Sequence, residues 1–330
     1  PYASKAGLSM LDKGGSAVDA AIAAQLVLSL VEPQSSGLGG GTFMLHWHNE
    51  KQKLTTFDGR ETAPQNATSE LFLDKNGKPL KWSDAVVGGK SVGVPGLLAA
   101  LNKAHEQFGV LPWKVLFQPA IELAETGFIV SQRLEKLLGM NFNPGIHLLP
   151  EIKNYFSPNG ITIKAGDTLK NPKLAKALHS IAEDGVEVFY QGWIAKKIVE
   201  KVQKSAISPG LLSLDDMKSY QAIERASVCG PYHQYKICGM APPSSGGISV
   251  IQILAQLQSF ELAQYPPNSL HAIHLLTQSS RLAFADRNKY IADSDFVSVP
   301  VKGLLAEDYL AKRAALINEK RDMGQAAAGS

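Results

Sequence analysis

The sequence predicts a mixed α/β (α+β) fold. Long stretches carry apolar residues at helical spacing, two short stretches read as hairpins, and no repeat or linker separates them. With 330 residues, 45% hydrophobic and 19% charged, the chain can bury a sizeable core. One domain is expected over residues 1–318, followed by a flexible tail over 319–330 in which periodicity is lost. The net charge of +3 comes from 33 basic and 30 acidic residues without a block of five like charges, so nucleic acid is not an expected partner.

The first helix is expected from Ala3 to Lys13, ending at Gly14-Gly15. Ser16 then caps a second from Ala17 to Val31, with Pro33 shortly after. The second is nearly continuous apolar sequence, but about fifteen residues with Asp19 inside fall short of a bilayer span, so it reads as a buried helix. The start, Pro1-Tyr2-Ala3-Ser4, lacks a basic region followed by an apolar core; no signal peptide is expected there, and a mature product is one explanation.

Ser35 to Gly41 is glycine-rich and leads into a strand. A dinucleotide-binding loop must instead follow a strand and open a helix, so no nucleotide is expected. Thr42 to His48 alternates Phe43, Leu45 and Trp47 with polar residues, Asn49 to Gln52 forms a turn, and Lys53 to Asp58 returns. Arg60 therefore stands at a strand end within Asp58-Gly59-Arg60-Glu61. A guanidinium there can make two parallel charge-assisted hydrogen bonds to a carboxylate, which a lysine cannot reproduce. Spacing alone leaves two partners open: a ligand, or an internal salt bridge to Asp58 or Glu61.

Helical spacing continues from Gly96 to about Gln107, then over Trp113 to Thr126, Pro172 to Asp184 and Trp193 to Lys204. Ser213 and Asp216 form a capping box for a short helix to Tyr220. A second hairpin follows, its tip at His233-Gln234, which pairs Tyr232 with Tyr235 and Cys229 with Cys238. A disulfide is conceivable there, but two buried free thiols are the preferred reading, because cysteine is often simply a small core residue. Ala241 to Gly247 leads into a helix from about Ile248 to Ser259. Further helices occupy roughly Ser269 to Ile291 and Ala306 to Asn318.

Other chemistry finds little support. Gly89-Lys90-Ser91-Val92-Gly93 matches the G-x-S-x-G pattern, but Pro95 and Gly96 put the next helix start past Ser91, where a nucleophile elbow needs a strand turning directly into a helix. His46 and His48 share a strand face and could together ligate a metal if carboxylates converged on them, but solvent-facing strand histidines are commoner; no metal is expected, and no cofactor. The Pro243 to Gly247 loop, Asp286-Arg287 and Asp293-Ser294-Asp295 are read as turns and caps.

Several motifs in order carry a family resemblance: Gly14 to Ala21, Ser36 to Gly41, Asp58-Gly59-Arg60-Glu61-Thr62-Ala63-Pro64, Val94-Pro95-Gly96, Pro242 to Gly247 and Ala285-Asp286-Arg287. Together they resemble the gamma-glutamyltransferase family from about Ala3 to Asn318. The resemblance implies an N-terminal-nucleophile hydrolase fold, a four-layer αββα sandwich completed by a small subunit cut from the same precursor. It implies that this chain is the large subunit, with no catalytic residue of its own. The nucleophile would be the small subunit's first residue, a threonine lying after Ser330. Arg60 falls on the family's arginine that grips the α-carboxylate of the glutamyl group.

Glutathione is then the expected donor, with water, an amino acid or a peptide as acceptor. A bacterial periplasmic or secreted location follows from the same resemblance. Two alternatives stay open: a glutaryl or cephalosporin acylase of the same family, and a non-catalytic scaffold. A self-contained hydrolase using Ser91 rests on the short motif alone.

Overall fold

The cap read from Ser16 is present, and it is a full capping box. The Ser16 hydroxyl accepts from the Asp19 N–H at 3.1 Å, and the Asp19 carboxylate accepts from the Ser16 N–H at 2.8 Å, opening a helix over Ala17–Val31. A computed structural model describes residues 1–140 and 144–330. In chain order it contains α1 (Tyr2–Asp12), α2 (Ala17–Val31), β1 (Thr42–His48), β2 (Lys53–Gly59), α3 (Trp82–Val86), α4 (Leu97–Phe108) and α5 (Trp113–Thr126). There follow β3 (Phe128–Ile129), α6 (Gln132–Gly139), α7 (Gly145–Leu148), α8 (Pro150–Phe156), β4 (Thr168–Leu169), α9 (Pro172–Asp184), α10 (Glu187–Tyr190), α11 (Trp193–Gln203) and α12 (Leu214–Ser219). The last elements are β5 (Ile223–Glu224), β6 (Val228–Tyr232), β7 (Tyr235–Gly239), α13 (Gly246–Leu257), α14 (Leu270–Tyr290), α15 (Val301–Leu304) and α16 (Glu307–Ala314).

The sequence reading expects one domain over residues 1–318; the packing groups the chain into two compact units, each discontinuous in sequence. The first is residues 1–42 with 57–223, and the second is residues 43–56 with 224–330. Each changeover falls inside or beside a strand, so no linker composition marks it.

The first unit is helical. The apolar α2 is its centre, packing against α1, α4 and α5, and Ile22, Ala23, Leu26 and Val27 are completely buried. One core cluster gathers Leu30, Phe128, Leu134, Leu138 and Phe156 across α2, α6 and α8. Burying each such side chain contributes about 1.5–3 kcal/mol before conformational entropy is counted.

Two further sheets are formed. One has strand order β1-β2-β5, and the other is the antiparallel hairpin β6–β7. Along β1, Leu45 and Trp47 face outward, 42% and 51% exposed, while His46 and His48 are partly buried. The hairpin register pairs Cys229 with Cys238, and His233 at its tip adopts the left-handed backbone such a turn needs. The two cysteines form a disulfide, S–S 2.13 Å, which corrects the preference for free thiols. Their Cα atoms are only 4.1 Å apart, the close approach of a non-hydrogen-bonded antiparallel pair.

Residues 319–330 form no helix or strand, yet they are fastened to the second unit. Gly329 donates to the Asp286 carboxylate at 2.9 Å, and the Arg313 guanidinium donates to the Ala327 carbonyl at 2.9 Å. Asp286 and Arg313, 0% and 5% exposed, pair at 3.1 Å. Asp286 is thus a buried ion-pair partner, where the sequence suggested a cap. A flexible tail is expected from lost periodicity, and a buried charge pair that meets it cannot be read from the tail's own small residues.

Candidate functional site

Arg60 lies in the first unit, one residue past β2. Asp58, nearly buried, accepts from the Arg60 N–H through Oδ1 at 2.9 Å, a local turn that stops the strand. The next element is brought in very close. A Cβ on Gly59 would stand 2.5 Å from the Ala100 methyl and 2.8 Å from the Gly96 carbonyl oxygen, so only glycine lets the strand end approach the start of α4. The Gly40 carbonyl accepts from both Gly96 and Leu97 N–H groups at 3.0 Å. Thr62 and Val94 form an isolated antiparallel bridge, with the Val94 N–H donating to Thr62 at 2.8 Å. Three of the motifs singled out in the sequence therefore meet here: the glycine segment before β1, Asp58 to Glu61, and Val94-Pro95-Gly96.

The Arg60 guanidinium is 49% exposed and pairs with the neighbouring Glu61 carboxylate, Nη2 to Oε2 2.8 Å. Of the two acidic neighbours considered, Glu61 takes the side chain, and Asp58 takes the backbone N–H. On the other side of the residue, the Tyr220 hydroxyl donates to the Arg60 carbonyl at 2.6 Å. Tyr220 stacks parallel to Tyr190, with ring centroids 5.9 Å apart and planes within 5°. The Tyr190 hydroxyl donates to the Pro95 carbonyl at 2.9 Å and accepts from the Ala99 N–H at 3.2 Å.

Burial, then the carboxylates of Asp58 and Glu61, push the Tyr220 phenol above its ordinary value, with Arg60 pulling the other way. Burial does the same to Tyr190. Both remain neutral donors across the physiological range.

The frame is extended by Asp216, where the predicted capping box is present. Its carboxylate accepts from the Ser213 N–H at 2.9 Å and from the Gln65 N–H at 2.8 Å. Burial alone would raise the Asp216 carboxyl, but the Gln65 and Ser213 hydrogen bonds outweigh it and hold it below its usual value. A recess of about 170 Å³ opens between Thr62, Gln65, Asp216, Ser219 and Tyr220. A larger cavity of about 550 Å³ lies elsewhere in this unit, lined by apolar residues such as Leu134, Ile146 and Phe156, and includes none of the residues around Arg60.

Ser91 is exposed in the turn after α3, and its hydroxyl donates to the Val86 carbonyl at 2.8 Å; no strand feeds it and α4 begins only at Leu97. The nucleophile-elbow geometry is absent from it. His46 and His48 touch ring to edge at 6.3 Å, and burial, then His48, lowers the His46 pKa. Among the described residues no group of three or more histidines, cysteines or acids could hold a metal. Ser245 receives the Arg287 Nε at 3.4 Å, and Asp295 makes a two-point pair with Arg225 at 2.8 and 2.6 Å. Those groups are structural, though Asp295 is engaged in an ion pair and not only a turn.

Sequence reasoning did not find Tyr220 or Tyr190. Tyr220 is 160 positions from Arg60, and no local pattern links them.

The sequence profile described as Gamma-glutamyltranspeptidase matches residues 3–329. The chain belongs to the gamma-glutamyltranspeptidase family. It is 40% identical over 318 residues to the glutathione hydrolase proenzyme of Bacillus subtilis (strain 168), covering 96% of this chain and 53% of that protein. Among solved structures, it superimposes on the gamma-glutamyltranspeptidase of Helicobacter pylori with a TM-score of 0.92 at 34% identity, covering 100% of this chain and 96% of the other. An acylase ACY 1 proenzyme of Pseudomonas sp. (strain SE83) is 35% identical over 323 residues, covering 96% of this chain and 57% of that protein. The chain thus spans about half the length of the curated relatives it matches, and its mixed helix-and-sheet fold is that of gamma-glutamyltranspeptidases. No helix among the described residues is long and apolar enough to cross a membrane.

Proposed function

We propose that this chain is the large-subunit part of an enzyme that cleaves gamma-glutamyl amides, glutathione among them, and passes the glutamyl group to water or to the amine of an amino acid or peptide. The observation that carries the reading is Arg60: a half-exposed guanidinium on a backbone fixed through both its N–H and its carbonyl. A donor's α-carboxylate meets that fork and shares or replaces the contact with Glu61. Two parallel N–H···O bonds then set the donor's orientation as well as its affinity.

The proposed nucleophile is a threonine at the start of a second chain from the same precursor. Its hydroxyl oxygen attacks the gamma-carbonyl carbon, its own α-amine takes the hydroxyl proton, and that proton leaves with the departing amine. The resulting ester is opened by water or by an acceptor amine, which restores the threonine. This chain's part is to bind and orient the donor. The length relation supports the two-chain reading: the proenzyme relative is about twice as long as the match, whereas the Helicobacter pylori chain is matched almost end to end. We place the enzyme in a bacterial periplasm or outside the cell, a reading supported by the Cys229–Cys238 disulfide, since disulfides persist in oxidising compartments.

The test is to produce the full precursor, determine the mass and first residue of any second chain, and measure turnover of a gamma-glutamyl anilide. A second chain starting with threonine and turnover by the pair are expected. A partner without that threonine would favour a non-catalytic scaffold, and turnover by this chain alone, lost in Ser91→Ala, would favour a serine hydrolase. The acylase relative supports one further reading, cleavage of a glutaryl amide, which keeps the terminal carboxylate and lacks only the α-amino group. In that case a glutaryl anilide would be turned over faster than the gamma-glutamyl anilide, and Arg60→Ala would impair both.

A further inference from the structure

We propose that Tyr220 is a positioning residue for Arg60, and that its hydrogen bond to the Arg60 carbonyl is what makes the site discriminate donors bearing an α-carboxylate. The inference rests on the reading that Arg60 meets that carboxylate.

Both backbone polar groups of Arg60 are committed, the N–H to Asp58 at 2.9 Å and the carbonyl to Tyr220 at 2.6 Å. These two bonds lie on opposite sides of the Arg60 Cα, so together they fix the direction in which its side chain leaves the backbone. The Asp58 bond is local, two residues away, and would form in any strand end of this sequence. The Tyr220 bond spans 160 positions and ties Arg60 to the end of α12.

The tyrosine is itself held. Its ring lies flat against Tyr190, whose hydroxyl bridges the Pro95 carbonyl and the Ala99 N–H at the start of α4. The Tyr220 hydroxyl also lies close over Gly96 at the start of α4, where an added Cβ would collide with it, so the phenol is packed against that turn. The phenol therefore acts as a rigid stop on the Arg60 backbone. Tyr220 does not need to touch the donor for this role.

A guanidinium that must donate two parallel bonds to a planar carboxylate tolerates little rotation, so loosening its backbone anchor lowers affinity for that group specifically. The carboxylate is remote from the reacting amide, so the loss falls mainly on KM and little on kcat.

The experiment uses the two-chain enzyme made from the full precursor and compares wild type, Tyr220→Phe, Arg60→Ala and the double variant on a gamma-glutamyl anilide. Phenylalanine keeps the ring and the stack and removes only the hydroxyl. Tyr220→Phe is expected to raise KM roughly tenfold, about the effect of losing one well-formed hydrogen bond, with kcat within about twofold. In the Arg60→Ala background it is expected to add nothing, because there is no longer a guanidinium to aim. Arg60→Lys in place of Arg60→Ala serves as a second background should the alanine variant be too slow to measure.

If Tyr220→Phe leaves KM unchanged while Arg60→Ala raises it, the inference is overturned and the Arg60 reading stands. Equal losses in both backgrounds, or a loss confined to kcat, also overturn it, since the effect would then be a general one. Should Arg60→Ala leave KM and kcat unchanged, the underlying reading itself is wrong.

Discussion

Replacing Arg313 with methionine is expected to destabilise the second unit far more than an ordinary surface change. Arg313 is 5% exposed and Asp286 fully buried, and they pair at 3.1 Å. The same guanidinium donates to the Leu282 carbonyl at 3.1 Å and to the Ala327 carbonyl at 2.9 Å. Methionine keeps most of the volume, so the loss is electrostatic. It leaves a buried carboxylate facing neutral donors, the Gly329 N–H at 2.9 Å, the Gln252 amide at 3.3 Å and the Tyr309 hydroxyl, and takes one donor each from the Leu282 and Ala327 carbonyls. Removing one member of a buried pair costs about 3–5 kcal/mol.

The assay is urea unfolding followed by circular dichroism, with the Asp286→Leu single and the Asp286→Leu/Arg313→Met double variant completing the cycle. The double variant is expected to recover a large part of the loss, because no charge is then left buried alone. A single-variant cost below about 1 kcal/mol, or a double-variant cost equal to the sum of the two singles, would refute the argument.

Two further outcomes are expected. Thiol titration of the unreduced, denatured protein should find no free cysteine, and Cys229→Ser/Cys238→Ser should lower stability by about 2–3 kcal/mol, the loop-entropy value for a closure this short; two free thiols before reduction would contradict the disulfide. Asp216, whose folded pKa is depressed, contributes stability that is fully present above its unfolded value near 3.8 and is lost as pH falls below that toward the folded value. Asp216→Asn should therefore flatten the acid limb of stability against pH in that window, and an unchanged acid limb would contradict the assignment.

Much of the fold was legible because its boundaries are set locally. Ser16 and Ser213 mark helix starts through hydrogen bonds that reach only three residues; both caps are present as read, the Ser213 one as the capping box expected. Trp113–Thr126 and Pro172–Asp184 have the bounds that apolar spacing predicts, and alternation with tip residues places Cys229 opposite Cys238. The short elements α6 to α8 and β3–β4 escaped, since two to eight residues carry too little periodicity to stand out. So did the division into two units, because the chain changes unit at strands that look like any other strand.

The candidate site divides in the same way. Arg60 could be singled out from its strand-end position and its acidic neighbours, and the ordered motifs gave it a family role to be tested. What holds it came from far along the chain. Tyr220 and Tyr190 look in sequence like ordinary aromatic residues at helix ends, and only the folded chain brings their hydroxyls to Arg60 and Pro95. The oxidation of Cys229 and Cys238 was missed for another reason: spacing shows that two sulfurs can meet, while thiol chemistry depends on surroundings that spacing does not carry.

The most direct test of the account compares kcat/KM for a gamma-glutamyl anilide between the wild-type two-chain enzyme and Arg60→Ala. Loss of a two-point, charge-assisted carboxylate contact is worth about 1.5–3 kcal/mol per hydrogen bond, so a fall of at least a hundredfold is predicted, carried chiefly by KM. Unchanged kinetics in Arg60→Ala would contradict the claim that this arginine holds the donor.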